Sequence, residues 1–441
     1  MAPKVHIEVS HLLARNSTYT NSTAASSDKA KQIITDGYLG GDVVISMDDA
    51  KDTTETPAEY LVEVIFEGKL STSIHLNIST QLLRMAKNLI LLRASDIREL
   101  SQIQSPTTRP PSQTFIHPFH FNIPQTADPT SSNTETSVSL PPSLSLKPLS
   151  VYDSNDLTLH GQCRIEYCLK ARLFDQSGCI AEDQFPVTFA PAHECPPPVC
   201  IGDFPREYTL QSSNRVRDLL SLRDLYYLSV ETEEPAPLHL NRLNTAFTII
   251  PLKLRYQCLA PSKHHHHHNQ PHTPPDLFAK IRTTLRATTF LSVTSQPRVP
   301  IQLEANKLHN FRLLGNTIKI GSTQTRKLRL ASWERENTHQ LNQDQPVIWA
   351  STAHLIFTFD NDDYVPPTFT HPYVSRRYSL LISIDVDGAR DVSFQLQVPV
   401  HVSYDRGQGG VSSCEEGRVY LGASMDDEDL SGGCVLPPYM A

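Results

Sequence analysis

The chain of 441 residues carries a net charge of −8, 39% hydrophobic residues, 33 prolines and eight cysteines. That apolar content supplies packed cores but not a set of membrane spans, and at roughly 100–200 residues per domain the length predicts two domains. Lys and Arg are scattered, without the clustered basic footprint of a nucleic-acid binder.

No targeting segment is expected. Met1–Ser10 alternates polar and apolar residues, and the longest apolar block, within Asn88–Leu92, is far short of the ~20 residues a membrane helix needs. A cytoplasmic protein is predicted, and outside a secretory context the Asn-x-Ser/Thr triplets at Asn16, Asn21 and Asn77 carry no meaning as glycosylation sites.

Short β-like runs separated by Pro, Ser, Thr and Asn predict an all-β chain of two sandwich-like domains. The first strand is Lys4–Val9, followed by a Ser/Thr/Asn-rich insert, Asn16–Ser27. Gly37–Ser46 and Leu61–Phe66 read as strands, the second closed by Gly68. Gln81–Arg93 reads as a helix, because Leu82, Leu83, Ala86, Leu89 and Ile90 recur at three- and four-residue spacing. Docking on a sheet is the simple role for it. A membrane-surface helix aided by Arg84, Lys87 and Arg93 is the alternative. Ser101–Ser112 and Gln125–Ser139 are low-complexity loops around an aromatic strand, Phe115–Ile123. Ile165–Phe174 alternates cleanly, Pro186–Phe189 is a short strand, and the Pro-rich Cys195–Cys200 is the interdomain linker.

In the second half Leu225–Val230, Ala246–Tyr256, Lys280–Leu291, Val347–Phe359, Tyr378–Val386 and Phe394–Val402 read as strands, with a short helix over Arg215–Leu222. Leu380, Ile382, Ile384 and Val386 give the strongest alternation. From Asp405 to Ala441 the chain is Gly-rich, then acidic at Asp426–Asp429, and too poor in apolar residues to fold alone.

No catalytic constellation is legible. Gly-x-Ser-x-Gly, Walker-type and His-Glu-x-x-His patterns do not occur, so an enzyme is not expected and no cofactor is called for. Gly407, Gly409 and Gly410 read as a flexible linker, since no helix follows to receive a phosphate. The histidine run His264–His268 lies in a loop and could take divalent metal adventitiously. Cys195 and Cys200 have no second close pair to complete a zinc site, and Cys163, Cys168 and Cys179 sit in or beside strands as small apolar residues. His117 and His120, three apart on a strand, face opposite ways, which argues against a ligand pair. Asp48–Asp49 and Asp362–Asp363 fall at strand ends or turns, where Asp bonds to nearby backbone.

Several blocks in order resemble the arrestin family, in its fungal α-arrestin branch. Gly37-Tyr38-Leu39-Gly40-Gly41-Asp42-Val43-Val44 resembles the opening turn and strand of the family's N-terminal domain, and Phe66-Glu67-Gly68-Lys69 its Phe-x-Gly block. His117-Pro118-Phe119-His120-Phe121-Asn122-Ile123-Pro124, Leu140-Pro141-Pro142-Ser143-Leu144, Ile165–Ala171 and Pro186–Phe189 are similar to the segments that follow. Val365-Pro366-Pro367-Thr368-Phe369 with Val374–Leu380 resembles a C-terminal-domain pattern, and Phe394–Val400 its final strand.

The resemblance covers Lys4–Val402, broken by inserts. It implies two antiparallel immunoglobulin-like sandwiches in tandem: residues 1–194, a linker over 195–203, residues 204–404, and a tail over 405–441. The charge cluster that locks visual arrestins is not identifiable here. Arg376 is the candidate for a buried polar contact, beside the simpler reading of a surface arginine. Leu436-Pro437-Pro438-Tyr439 fits the [Leu/Pro]-Pro-x-Tyr pattern read by WW domains, in which proline pre-sets a polyproline II turn. In α-arrestin-like proteins such motifs recruit HECT-type ubiquitin ligases. The implied function is an adaptor that joins cytosolic segments of membrane transporters or receptors to a ligase, with recruitment to plasma membrane or endosomes and peripheral membrane contact. A trafficking or signalling scaffold without ligase recruitment is the alternative.

Overall fold

The computed structural model describes residues 5–13, 33–35, 37–48, 60–78, 81–100, 107–109, 112–124, 126, 138–152, 158–191, 197–217, 224–241, 245–258, 274, 276–307, 311–336, 347–387 and 393–404. These residues are almost entirely β-strand, and no α-helix occurs among them. Hence no helix among them is long and apolar enough to cross a membrane.

Residues up to Phe189 build a four-stranded and a seven-stranded sheet. The first runs Val5–Leu13, Tyr38–Asp48, Ser112–Asn122, Thr107–Arg109; the second is centred on Thr158–Asp175 and Leu61–Ile78. Thr158–Asp175 shows why these segments pair. Leu159, Cys163, Ile165, Tyr167, Leu169, Ala171 and Leu173 are all buried at every second position, so one face lines the core while the other carries polar groups. The strand reverses at Gly178, whose φ of +130° lies in the region that glycine tolerates best, and Asp175 Oδ1 accepts from the Ser177 and Gly178 amides.

Gly68 does not end its strand. Leu61–Ile78 runs through it for 18 residues. Gly68 lies directly across from Tyr167, and a Cβ there would come 2.5 Å from the tyrosine ring. The missing side chain makes room for Tyr167, which packs against Phe66 and Phe189 and donates to the Pro141 carbonyl at 2.6 Å.

The helix expected over Gln81–Arg93 is instead part of a strand, Gln81–Glu99, paired along its length with Leu61–Ile78. Its Leu, Met, Ala, Arg and Lys residues favour a helix locally, but a full ladder of cross-strand bonds overrides a preference of a few tenths of a kcal/mol per residue. The same residues also alternate: Met85, Lys87 and Leu89 are half-buried, while Arg84, Ala86, Asn88 and Ile90 are exposed. A register shift opposite Gly68/Lys69 then turns Leu91 and Leu92 both into buried positions.

Residues from Gln211 onward build two five-stranded sheets and a two-stranded parallel pair, Leu238–Leu240 with Val402–Tyr404. The expected helix at Arg215 is also overturned, since Gln211–Arg217 is an edge strand paired with Asp224–Thr232; residues 218–222 lie outside the described residues. The longest strand of this half, Leu313–Leu330, had no sequence expectation. It borders its sheet, and its middle is exposed or half-exposed on both faces, so no apolar alternation marks it.

Two large cores result. One contains residues from Ile34 to Phe189, the other residues from Ala190 to Tyr404. The first core also takes in Leu291, Val293, Leu314, Phe369 and Val374 from the second half. At this seam Gly161 admits Leu314 and Leu291, Thr72 Oγ1 donates to the Ser292 carbonyl at 2.9 Å, and Tyr364 donates to the Phe189 carbonyl at 3.2 Å.

Candidate functional site

The densest polar constellation lies where the stretch 197–210 crosses the second half. Here Ile201–Asp203 forms a single 3-10 turn, Arg206 adopts a positive φ of 66°, and the next residue, Glu207, turns inward. Glu207 Oε1 accepts from the Gln302 amide at 2.6 Å and Oε2 accepts from Arg377. The side chains of this pair are 3% and 12% exposed. Arg377 also donates to the Pro300 carbonyl at 2.7 Å and lies between the Phe204 and Phe290 rings, 4.5 Å from each. A second clamp is close by: the Val199 amide donates to Glu234 Oε2 at 2.6 Å, and Glu234 Oε1 lies 3.4 Å from His401 Nε2. Burial raises the Glu234 pKa and lowers that of His401, so both groups are pushed toward their neutral forms.

Arg376, on the Val374–Val386 strand, is a buried arginine, only 4% exposed. Its Nε donates to the Tyr378 hydroxyl at 2.8 Å and a terminal nitrogen to Thr289 Oγ1 at 3.1 Å. Tyr378 in turn donates to the Pro366 carbonyl. Ser375, Arg376, Arg377 and His401 line one cavity of about 110 Å³ together with Thr368 and Thr370. Glu207 and Glu234 carried no sequence signal, and Ser375 entered only as part of the family-like block Val374–Leu380. Arg376 and Arg377 were visible as a dibasic pair, but which one met an acid was not.

The first half holds two isolated polar groups. Burial would raise the Glu67 pKa, but Lys69 at 2.7 Å and Lys170 at 3.1 Å outweigh it and hold the carboxyl below its ordinary range. His117 is fully buried and His120 is exposed, facing away. Burial lowers the His117 pKa, partly offset by Asp96 at 3.6 Å. Cys163 is a buried thiol pushed up to about 12; Cys179 and Cys200 are exposed, and all three are free. No group of three metal-ligating side chains occurs among the described residues. Asp362 and Asp363 are exposed in the turn after Ile348–Asp360, where the Asn361 side chain donates to the Asp363 carbonyl. Asp49, Cys195, His264–His268, the Gly407–Gly410 cluster and Leu436–Tyr439 lie outside the described residues.

A basic face covers the outer side of the sheet formed by Leu313–Leu330, Leu277–Ser292 and Val374–Val386. Lys280 is directly opposite Lys327, and Arg286 directly opposite Lys319. Like charges facing each other across strands are destabilising. Two other cations on this face are neutralised, Arg282 by Asp385 at 2.8 Å and Arg329 by Asp276. Among the described residues no acidic group comes within ion-pair distance of Lys280, Arg286, Lys319 or Lys327. Cations on an edge strand alone serve to block edge-to-edge pairing. Lys280 and Arg286 are on the strand one place inward, where that purpose does not apply.

No protein-family model matches the chain, and no curated protein sequence matches it.

Proposed function

We propose that the chain is an arrestin-related adaptor. In this reading its two cores are tandem antiparallel immunoglobulin-like sandwiches, residues 1–194 and 204–404, joined by the linker 195–203 and followed by the tail 405–441. The scaffold takes a cytosolic segment of a membrane transporter or receptor. Leu436-Pro437-Pro438-Tyr439 engages the WW domains of a HECT-type ubiquitin ligase, and ubiquitination marks the cargo for endocytosis. The observation that supports the reading is that the strands up to Phe189 and those from Gln211 onward build separate sheets, each set lining most of its own core. It agrees with the order of the family-like blocks, and sandwiches of this kind leave outer faces and loops free for partners. The like-charge rungs at Lys280–Lys327 and Arg286–Lys319 suit a cargo segment rich in carboxylates.

Two pull-downs test the division of labour. Isolated WW domains should capture the full chain and lose it on Tyr439→Ala; equal capture of both would remove the tail's role. If transporter turnover in cells also survives deletion of residues 405–441, the scaffold without ligase recruitment is the correct reading. An acidic cytosolic peptide should bind the wild type and lose binding to the Lys280→Glu/Arg286→Glu variant, whereas unchanged binding would take the cargo off this face.

A further inference from the structure

We infer that the outer face of the strands Thr245–Cys258 and Ile348–Asp360 binds a second copy of this chain through a two-fold interface. This surface is independent of the adaptor reading. The inner face of the two strands lies in the second core, where Ile250, Leu252, Leu355 and Phe357 are at most 3% exposed. An antiparallel sheet with one face in a core ordinarily turns polar residues outward. Here the outer face has two unlike halves. One end is ionic: Lys253 lies 3.5 Å from Glu233, and Arg255 lies 3.6 Å from Glu231 and 3.3 Å from Glu336. At the other end Phe247, Ile249 and Ile356 stand 57%, 47% and 45% exposed. Ile249 is directly opposite Ile356, and Phe247 is the next residue on the same face, so the three form one patch. Single exposed apolar side chains are ordinary, but contiguous ones mark contact surfaces. Strand addition does not account for them, because the edge beside Ile356 is capped: the Gln324 side chain donates to the Thr358 carbonyl and accepts from its amide at 3.3 Å.

The order of residues along the face identifies the occupant. Asp360 is opposite Thr245, four positions to one side of the Ile249–Ile356 rung, and Lys253 is opposite Thr352, four positions to the other side. Anion and cation are thus equidistant from the apolar rung. Asp360 has no ion-pair partner among the described residues. The Lys253–Glu233 pair is 55% and 64% exposed, so it holds the lysine weakly. A two-fold axis between two such faces, perpendicular to the strands at the isoleucine rung, lays each strand antiparallel over its own counterpart. Ile249 and Ile356 then meet their counterparts, Phe247 meets the partner's Pro251, and Asp360 comes level with the partner's Lys253, one strand over. Each contact is made twice, as an isologous interface requires. Stacked sheets lie about 10 Å apart, a gap that lysine and aspartate side chains close from either side. An unrelated partner would not call for opposite charges at equal distances from an apolar centre. The paired stretch from Thr245 to Lys253 covers about 27 Å by ~15 Å and buries roughly 800 Å² over both copies, at the low end for specific contacts, so the dimer is a weak one.

Sedimentation equilibrium of the full chain at low ionic strength, from about 1 to about 300 μM, is the test. The weight-average mass should rise from the 49.4 kDa of one chain toward twice that value. Ile249→Glu/Ile356→Glu should hold the single-chain mass throughout, with an unchanged urea midpoint, because both side chains lie outside the core. If the glutamates lower the midpoint, Ile249→Thr/Ile356→Thr takes their place, threonine being a favoured strand residue. Asp360→Lys and Lys253→Asp should each weaken association several-fold, and the two together should restore it. A dimer that survives the isoleucine variants uses another surface and overturns the inference. A combined charge exchange that fails to restore association overturns the two-fold arrangement. A wild-type chain that stays single at every concentration removes the second copy as occupant and leaves the face to a different protein.

Discussion

Glu207→Ala is expected to destabilise the second core by about 3–5 kcal/mol, the range for removing one partner of a buried ion pair. The structure explains why the cost falls at the upper end of ordinary mutations. Glu207 accepts two hydrogen bonds, one from the Gln302 amide and one from Arg377, and its side chain is 3% exposed. Without it, Arg377 remains wedged between Phe204 and Phe290, 4.5 Å from each ring, and keeps the Pro300 carbonyl and the Tyr208 hydroxyl but no carboxylate among the described residues. It cannot swing into water without giving up that packing. Urea unfolding followed by tryptophan emission is a suitable assay. The chain has two tryptophans, Trp333 and Trp349, and both pack against the second core. Arg377→Met removes the other charge, and the double variant closes a thermodynamic cycle. A coupling of about 2 kcal/mol or more is expected, because the double variant buries no orphaned charge. Single variants costing under about 1 kcal/mol, or effects that add to within ~0.5 kcal/mol, would refute the buried-pair account.

Gly68→Ala should cost about 1–3 kcal/mol, since its Cβ would meet the Tyr167 ring at 2.5 Å and overpacking has that magnitude; an unchanged urea midpoint would mean the ring moves freely. Stability should fall in acid. Burial lowers the His371 pKa from 6.5 to about 4, so the unfolded chain takes up a proton at higher pH than the folded one. The contribution is intact above about pH 6.5 and lost as pH falls toward 4, up to about 3 kcal/mol at one pKa unit per 1.36 kcal/mol. Circular dichroism of urea melts at pH 7 and pH 5 checks this, and His371→Phe should flatten the dependence; an equally steep slope in that variant would exclude His371 as the source. Lys327→Glu should stabilise the fold by roughly 0.2–1 kcal/mol by turning the Lys280 rung into an opposite-charge pair. A loss of stability in low salt would mean that the two side chains do not face each other.

Much of the β pattern was legible from residues alone because alternation leaves a record when one face is buried. Thr158–Asp175 and Val374–Val386 bury every second residue, and the segments read as Ile165–Phe174 and Tyr378–Val386 fall inside them. Leu313–Leu330 left no such record, because an edge strand solvated on both faces has no apolar face to declare. Gln81–Glu99 misled for a different reason: its residues satisfy helical spacing and strand alternation together, and the preceding strand of the hairpin (Ile78 faces Gln81, Leu61 faces Glu99) chose between them.

The polar site divides the same way. The residue order of this chain sets the class of fold, the dibasic Arg376–Arg377 step, and a strand alternation that must send two adjacent side chains to opposite faces. Charge identity is local, and so is strand periodicity. Which arginine would find a carboxylate depended on where Glu207, some 170 positions earlier, comes to rest. Only the crossing of the 197–210 stretch over the second half brought Glu207 to Arg377, while Arg376 meets the Tyr378 and Thr289 hydroxyls. Burial, counter-ion and cavity are properties of segments distant in sequence that meet in space, and no local pattern encodes them.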